Sequence, residues 1–225
     1  MAESKQEIMK DVSSNYENIT TKQSKIFFFL KRIIDVFLSL IGLIFLIPVL
    51  LIIAVLIKIE DRNGPVIFKQ VRIGKDGKTF EMYKFRSMVS NAEDLLEHLL
   101  DKNEASGPLF KMKEDPRVTK IGKFLRKTST DELPQLFNVL RGEMSLVGPR
   151  PALPREVESY NSYAHQRLKV RPGLTCYWQV KGRSNLGFEQ QVELDLEYIQ
   201  TMSLITDLKL IFMTIGVLVG SKDAY

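Results

Sequence analysis

A chain of 225 residues with a net charge of +5 is long enough for one domain with its own core and too short for two of ordinary size. Cys176 is the only cysteine, which excludes an intramolecular disulfide and a thiolate metal cluster, and His98 and His165 sit in no zinc-binding spacing. The excess of Lys and Arg is scattered rather than gathered into a run, so it fits an anionic partner without separating nucleic acid, an acidic membrane surface and a phosphorylated substrate.

Residues 1–25 are polar, rich in Ser, Asn, Thr, Lys and Glu, and read as a mobile or surface-lying N-terminal arm. They lack the charged start, short apolar run and small-residue cleavage site of a removable signal peptide. Residues 36–57 then run without a charge, long enough for a hydrocarbon core of about 30 Å. Pro48 lies just past their middle, and cations flank both ends: Lys25, Lys31 and Arg32 before, Lys58, Arg62, Lys69 and Arg72 after. If positive flanks stay in the cytoplasm, both ends belong on one side. A helix broken at Pro48, each arm about 12 residues or about 18 Å, satisfies that; a bitopic span with a tolerated kink is the alternative. The expected layout is a re-entrant membrane helix at 26–60 followed by a catalytic domain at 61–225.

Two β-prone runs, 66–70 and 79–85, surround Gly74-Lys75-Asp76-Gly77 and predict a β-hairpin. Helices are expected at 91–102, with a stripe of Leu95, Leu96, Leu99 and Leu100, and at 117–126, 132–140, 155–167 and 189–202. The apolar stretch 204–219 is interrupted by Asp207 and Lys209 and reads as a helix lying on the membrane or packed on the core. The fold class is α+β, mostly helical, with amphipathic helices at the membrane interface.

Three blocks could carry chemistry. Lys84 and Arg86 in Lys84-Phe85-Arg86-Ser87-Met88, with Gln70 and Arg72 on the partner strand, either converge on one anion or guard a strand edge. In Thr130-Asp131-Glu132-Leu133-Pro134-Gln135, Thr130 or Asp131 is a natural N-cap, where free N–H groups and the helix dipole would keep the Asp131 carboxylate ionised. Taken alone, that reads as a plain helix cap rather than a nucleophile. Arg126 upstream, and Arg150 in the rigid loop Gly148-Pro149-Arg150-Pro151, add two forks suited to phosphate oxygens beside a carboxylate pair suited to a divalent cation on a diphosphate. The third block, residues 171–183, mixes Tyr177, Trp178 and cations; it either holds a base or sugar or simply fills the core.

From about Lys31 onward the chain resembles the monotopic polyprenol-phosphate phosphoglycosyl transferases, bacterial sugar transferases that begin glycan assembly on a lipid carrier. The resemblance is carried, in order, by Lys31-Arg32-Ile33-Ile34-Asp35, Phe68-Lys69-Gln70-Val71-Arg72-Ile73-Gly74, Lys84-Phe85-Arg86-Ser87-Met88, Thr130-Asp131-Glu132-Leu133-Pro134-Gln135 and Ser145-Leu146-Val147-Gly148-Pro149-Arg150-Pro151. It implies a re-entrant helix, an active site on the cytoplasmic face of the bacterial inner membrane, Mg²⁺ dependence, and transfer of a sugar 1-phosphate from a UDP-sugar to undecaprenyl phosphate through a phosphosugar-aspartate. Asp131 would be the nucleophile and Glu132 its partner, both toward the metal. Arg126, Arg150, Lys84, Arg86, Arg72, Gln70, Pro149 and Pro151 would line the substrates. Residues 171–183 resemble members using hexose donors. Some members have Ser-Pro at the helix break where this chain has Ile47-Pro48, and larger members carry an N-terminal multi-span region, so the chain resembles the minimal catalytic form or a catalytic module. The competing expectations are a glycosyltransferase releasing nucleoside diphosphate and a non-catalytic membrane adaptor; nucleic acid is disfavoured because the cations surround carboxylates rather than interleave with aromatics. A homodimer is left open.

Overall fold

The computed structural model describes residues 23–92, 94–104, 112, 114–181 and 186–220. The polar arm expected at 1–25 therefore lies almost wholly outside the described residues, as do residues 182–185 at the end of the aromatic and cationic block.

The chain enters a helix of 36 residues, α1 (Lys25–Glu60), whose first turn is capped by Ser24 Oγ accepting the Phe27 N–H at 3.2 Å. One stripe of α1 is buried, with Lys31, Asp35, Ser39 and Leu43 at i, i+4 spacing and Ile53 and Ile57 further on. The outward side is apolar too: Phe37, Phe45, Leu51 and Ile52 stand 60–78 % exposed. A helix facing water would be polar there, so the exposed side suits lipid. The helix runs through Pro48 without interruption, and no gap appears at the expected break.

Strands β1 (Ile67–Ile73) and β2 (Thr79–Phe85) form the expected hairpin, with Asp76 and Gly77 both at positive φ in the turn. The first strand extends three residues beyond its expected end, because its register keeps pairing as far as Ile73 opposite Thr79. Phe68, Gln70 and Arg72 share a face with Lys84, Met82 and Phe80, while Lys69, Val71, Glu81 and Tyr83 share the other. After the hairpin come α2 (Lys120–Lys127), a 3₁₀ turn at Thr130–Glu132, α3 (Gln135–Arg141), β3 (Ser145–Val147), α4 (Pro154–Glu158), α5 (Ser162–His165), β4 (Gly173–Thr175), α6 (Tyr177–Lys181), α7 (Phe188–Thr201) and α8 (Leu204–Gly220). Strands β3 and β4 pair in parallel. The main core gathers Leu43 from α1, Met82, Leu136 and Val139, Met144 to Val147, and Val192, Leu196, Tyr198 and Ile199; a smaller cluster joins Ile53 and Ile57 to Phe85 and Leu125.

Several expected helices are shorter or differently built. The stretch 91–102 holds turns and a 3₁₀ segment at Glu97–Lys102, since only Ala92 and Leu99 among its described apolar side chains are buried, and a short helix needs tertiary packing. The helix expected at 117–126 starts later, capped by Thr119, because Arg117 is taken up by Asp115 through both its N–H and its guanidinium. The helix expected at 155–167 breaks into α4, α5 and a 3₁₀ turn at Gln166–Lys169, with Asn161 re-capping at Ala164 N–H and Tyr160 turned into the core. The last two helices stand within one residue of expectation.

Candidate active site

The segment 129–134 begins with Ser129 in the left-handed region, at φ 52°, where a residue with a side chain is strained. That turn throws Thr130, Asp131 and Glu132 into one 3₁₀ turn, and Pro134, which has no N–H to donate, opens α3 behind it. The turn is braced from α2 by a 2.8 Å hydrogen bond between the Thr128 and Thr130 hydroxyls. Helix α2 itself is seated on the strand that leaves the hairpin: Thr119 N–H donates to Ser87 O at 3.1 Å, and Arg126 Nε donates to Ser87 Oγ at 3.0 Å.

Helix α3 is fixed at its far end by two arginines from distant segments. Arg32 donates to the carbonyls of Val139 and Leu140, at 2.5 and 2.8 Å, and Arg171 to that of Gly142 at 2.8 Å, a cationic cap on the negative end of the helix. Its middle is stapled to β2 by Asn138, fully buried, which accepts the Tyr83 N–H and donates to Glu81 O and Glu143 Oε2. The staple sets the turn bearing Asp131 and Glu132 against Lys84, whose Nζ meets Glu132 Oε1 at 2.7 Å.

The loop 148–151 reaches the same place from the other side. Gly148 and Gly173 cross so closely that a Cβ on Gly173 would come within 2.0 Å of Gly148 N, so only glycine fits. Gly173 N–H donates to Pro149 O at 2.8 Å, and Arg72 Nη1 to Pro151 O at 2.9 Å, while Ile73 N–H bonds Ala152 O. Arg72 also grips Gln70 Oε1 with Nε and Nη2, and Arg150 meets Glu156 at 3.2 Å.

Asp131, Glu132, Lys84, Arg126, Arg72, Gln70 and Arg150 are thus brought into one electrostatic neighbourhood. Pro149 and Pro151 are buried and serve it through their carbonyls. Arg86 is elsewhere: one residue past the end of β2, it binds the Asp61 carboxylate at 2.9 Å and the Asp61 carbonyl at 2.8 Å at the C-terminal end of α1. Ser87, Asn138 and Glu156 were not singled out from the sequence. Ser87 lies inside the cationic segment and gains its role from the approach of α2; Glu156 follows Arg150 by six residues with only a helix start to mark it.

Charge is unevenly compensated here. Burial pushes the Asp131 carboxyl up to about 6, aided by Glu132 and opposed by Lys84 and Arg126. The direction of the shift is the opposite of what a helix start alone implies, because Asp131 is only 7 % exposed inside a 3₁₀ turn and desolvation dominates the dipole, yet at about 6 the group is still ionised at neutral pH. Glu132 is held below its ordinary value by Lys84, then Arg150 and Arg72, which together outweigh its own desolvation. Arg72 is pulled down from the usual arginine value by burial first and by neighbouring Arg150 second, yet stays charged at neutral pH. A buried guanidinium, Arg72, beside the half-buried Arg150 favours an anion near the two. Among the described residues no group of three or more His, Cys, Asp or Glu side chains encloses a metal position. Asp131 and Glu132 could supply one or two oxygen ligands, which fits Mg²⁺ shared with a diphosphate rather than caged by protein.

A buried carboxylate outside the ion pair of its neighbour, with the charges of Lys84 and Arg126 acting on it, is an arrangement able to receive an anionic ligand. The family model for bacterial sugar transferases matches residues 26–221. The chain is 47% identical over 202 residues to "Galactosyl transferase CpsE" of Streptococcus agalactiae serotype III, covering 86% of this chain and 43% of that one. It is 41% identical over 216 residues to "Undecaprenyl-phosphate galactose phosphotransferase" of Salmonella typhimurium, covering 92% and 44%. It is 42% identical over 199 residues to "Exopolysaccharide production protein ExoY" of Sinorhizobium fredii, covering 87% and 88%. The chain therefore spans less than half the length of the first two relatives and most of the third. It belongs to the bacterial sugar transferase family, and among the described residues one apolar helix near the N-terminus is long enough to cross a membrane.

Proposed function

We propose that the chain transfers a sugar 1-phosphate, with a hexose as the sugar, from a UDP-sugar to a polyprenyl phosphate, by two displacements at one phosphorus. The observation that carries this is Asp131: buried beside a Glu132–Lys84 ion pair, it is left out of that pair while Lys84 and Arg126 act on it. An oxygen of Asp131 attacks the sugar-bearing phosphorus; the new P–O bond forms as the bond to the nucleoside monophosphate oxygen breaks, and UMP leaves with that electron pair. An oxygen of the polyprenyl phosphate then attacks the same phosphorus, the acyl phosphate bond breaks, and Asp131 returns as carboxylate. Arg72 and Arg150 clamp phosphate oxygens, and Lys84, held by Glu132, balances charge between them. Asp131 and Glu132 are the residues that would hold Mg²⁺, which would supply charge neutralisation as the donor's phosphates approach the carboxylate.

Both ends of α1 are tied to the same domain, which supports a course that enters and leaves the bilayer on one face, with the catalytic domain on the cytoplasmic side of the inner membrane. At the start, Lys31 bonds Asp207 and Asp35 accepts the Leu146 N–H; at the end, Glu60 accepts the N–H groups of Lys120 and Ile121. Phe124 on α2 and Phe137 on α3, 58 % and 51 % exposed, extend the apolar surface of α1 and suit amphipathic helices at the interface.

The test is product identity. Purified protein with radiolabelled UDP-galactose or UDP-glucose and no acceptor should release at most one UMP per chain and carry sugar phosphate on Asp131 after rapid quench. Release of UDP, or label on another residue, would replace this reading with an ordinary glycosyltransferase.

A further inference from the structure

Behind Arg150 lies a cluster of buried charge that the displacement chemistry does not touch. Glu156 on α4, 2 % exposed, takes Arg150 Nη1 at 3.2 Å and the Leu153 N–H at 2.9 Å. Deeper, Arg167 and Asp195 meet at 2.5 Å with side chains 4 % and 0 % exposed, and Arg167 Nη1 donates to the Tyr160 hydroxyl at 3.0 Å. Asp195, on α7, is acted on by the charge of Arg150 and by its main-chain N–H, so the deeper pair bears directly on the loop 148–151.

This cluster is a poor device for stability. Arg167 Nε is buried with no hydrogen-bond partner among the described residues, and Asp195 relies on Arg167 and on the Arg150 main-chain N–H for its own. Taking an ion pair out of water costs several kcal/mol per charge, which the pair recovers only when its geometry is good and its remaining atoms are satisfied. Buried polar atoms left in this state point to some other demand on their position. That demand is visible at Arg150. Glu156 occupies one terminal nitrogen of its guanidinium, and Nε and Nη2 hydrogen-bond to no described residue. A fork already gripped at one tine, on a backbone fixed from behind, meets phosphate without the rotamer entropy that a free arginine loses.

We propose that Glu156 and the Arg167–Asp195 pair are positioning residues for Arg150, holding its side chain and its backbone in the pose that receives the diphosphate of the donor. The inference rests on the proposed function, in which Arg150 binds phosphate. Removing one charge of the deeper pair would strand the other, so the informative variant is Arg167→Gln with Asp195→Asn, which removes both charges and leaves amides able to hydrogen-bond. Its expected signature is a melting temperature at or above that of the parent and a KM for UDP-galactose raised about tenfold, the scale of one charge-assisted hydrogen bond. In an Arg150→Lys background the same pair of substitutions should raise KM no further, because the residue through which they act is already lost. Glu156→Gln, which keeps an acceptor for the Leu153 N–H, should behave in the same way and decides the matter if the double variant does not fold. An unchanged KM, or a rise as large in the Arg150→Lys background as in the parent, would overturn the proposal. Should the parent release UDP in place of UMP, the proposed function fails instead, and the two failures are read from different assays.

Discussion

Asp131 combines two demands that oppose each other. In the proposed reaction Asp131 must be ionised to attack phosphorus, yet burial lifts this carboxyl from an ordinary value near 3.9 to about 6. In that interval the folded chain binds a proton that the unfolded chain has released, so this group's contribution to stability falls as pH rises from about 4 to about 6 and stays lost above it. Asp131→Asn should therefore abolish transfer while raising the melting temperature at neutral pH, by about 2–4 °C for each kcal/mol relieved in a chain of this size. It should also flatten the decline of the parent between those pH values. Thermal unfolding of both proteins across that range checks this, and identical curves would show that the Asp131 charge costs nothing. For the same reason formation of the phosphosugar adduct should fall away below about pH 6, where Asp131 takes up its proton. The sequence supplied this residue through its company: the order of the motifs placed Asp131, Glu132, Arg126 and Arg150 together. It could not supply the sign of the pKa shift, because the cap position visible in Thr130-Asp131-Glu132 argues for a stabilised anion and only the packed turn reveals the burial that outweighs it.

At the scale of elements, the site is an assembly of short pieces whose spacing is set by close approaches. Helix α2 rests on the chain after β2 at Gly122, where a Cβ would lie 1.9 Å from the Ser87 carbonyl oxygen, a backbone atom with no freedom to yield. Gly122→Ala must lever α2 outward, and with it the guanidinium of Arg126, which is bonded to Ser87 Oγ. A loss of about 1–3 kcal/mol, the usual cost of overpacking, is expected together with slower release of UMP, measured by thermal melting and by product assay on one preparation. Normal stability and rate would mean that α2 has slack there. Such contacts explain which parts of the fold were legible. The hairpin and the last two helices follow from local period and turn residues. The stretches 91–102 and 155–167 have helical periodicity too, but the first buries only two described apolar side chains and the second is interrupted where Tyr160 turns inward and Asn161 caps anew. Nothing in the local pattern of Asn138 marks it as the staple between α3 and β2, since its partners lie 55 to 57 residues away.

For the whole molecule the decisive question is how α1 meets the bilayer. Thirty-six residues at about 1.5 Å each make a helix of about 54 Å, more than enough to span, and Pro48 lies within it. A span would place its two ends in different aqueous compartments, yet Lys31 and Asp35 at one end and Ile57 and Glu60 at the other are bound to the same domain. Breaking either set would strip partners from buried charge or uncover the cluster of Ile53, Ile57, Phe85 and Leu125. Both termini of α1 should therefore lie on one face of the bilayer, the cytoplasmic face under the proposed function. Single cysteines at Lys25 and Asn63, both exposed, report on this in sealed inverted vesicles with an impermeant maleimide. Asn63 is the better position than its neighbour, because a side chain on Gly64 would collide with Arg86. The native Cys176 is buried and its thiol is pushed well above its ordinary value, so background labelling should be slight. Equal labelling of both sites from the cytoplasmic side supports the re-entrant course; protection of one site until the vesicles are opened would establish a span and require the contacts at one end of α1 to be released in the membrane.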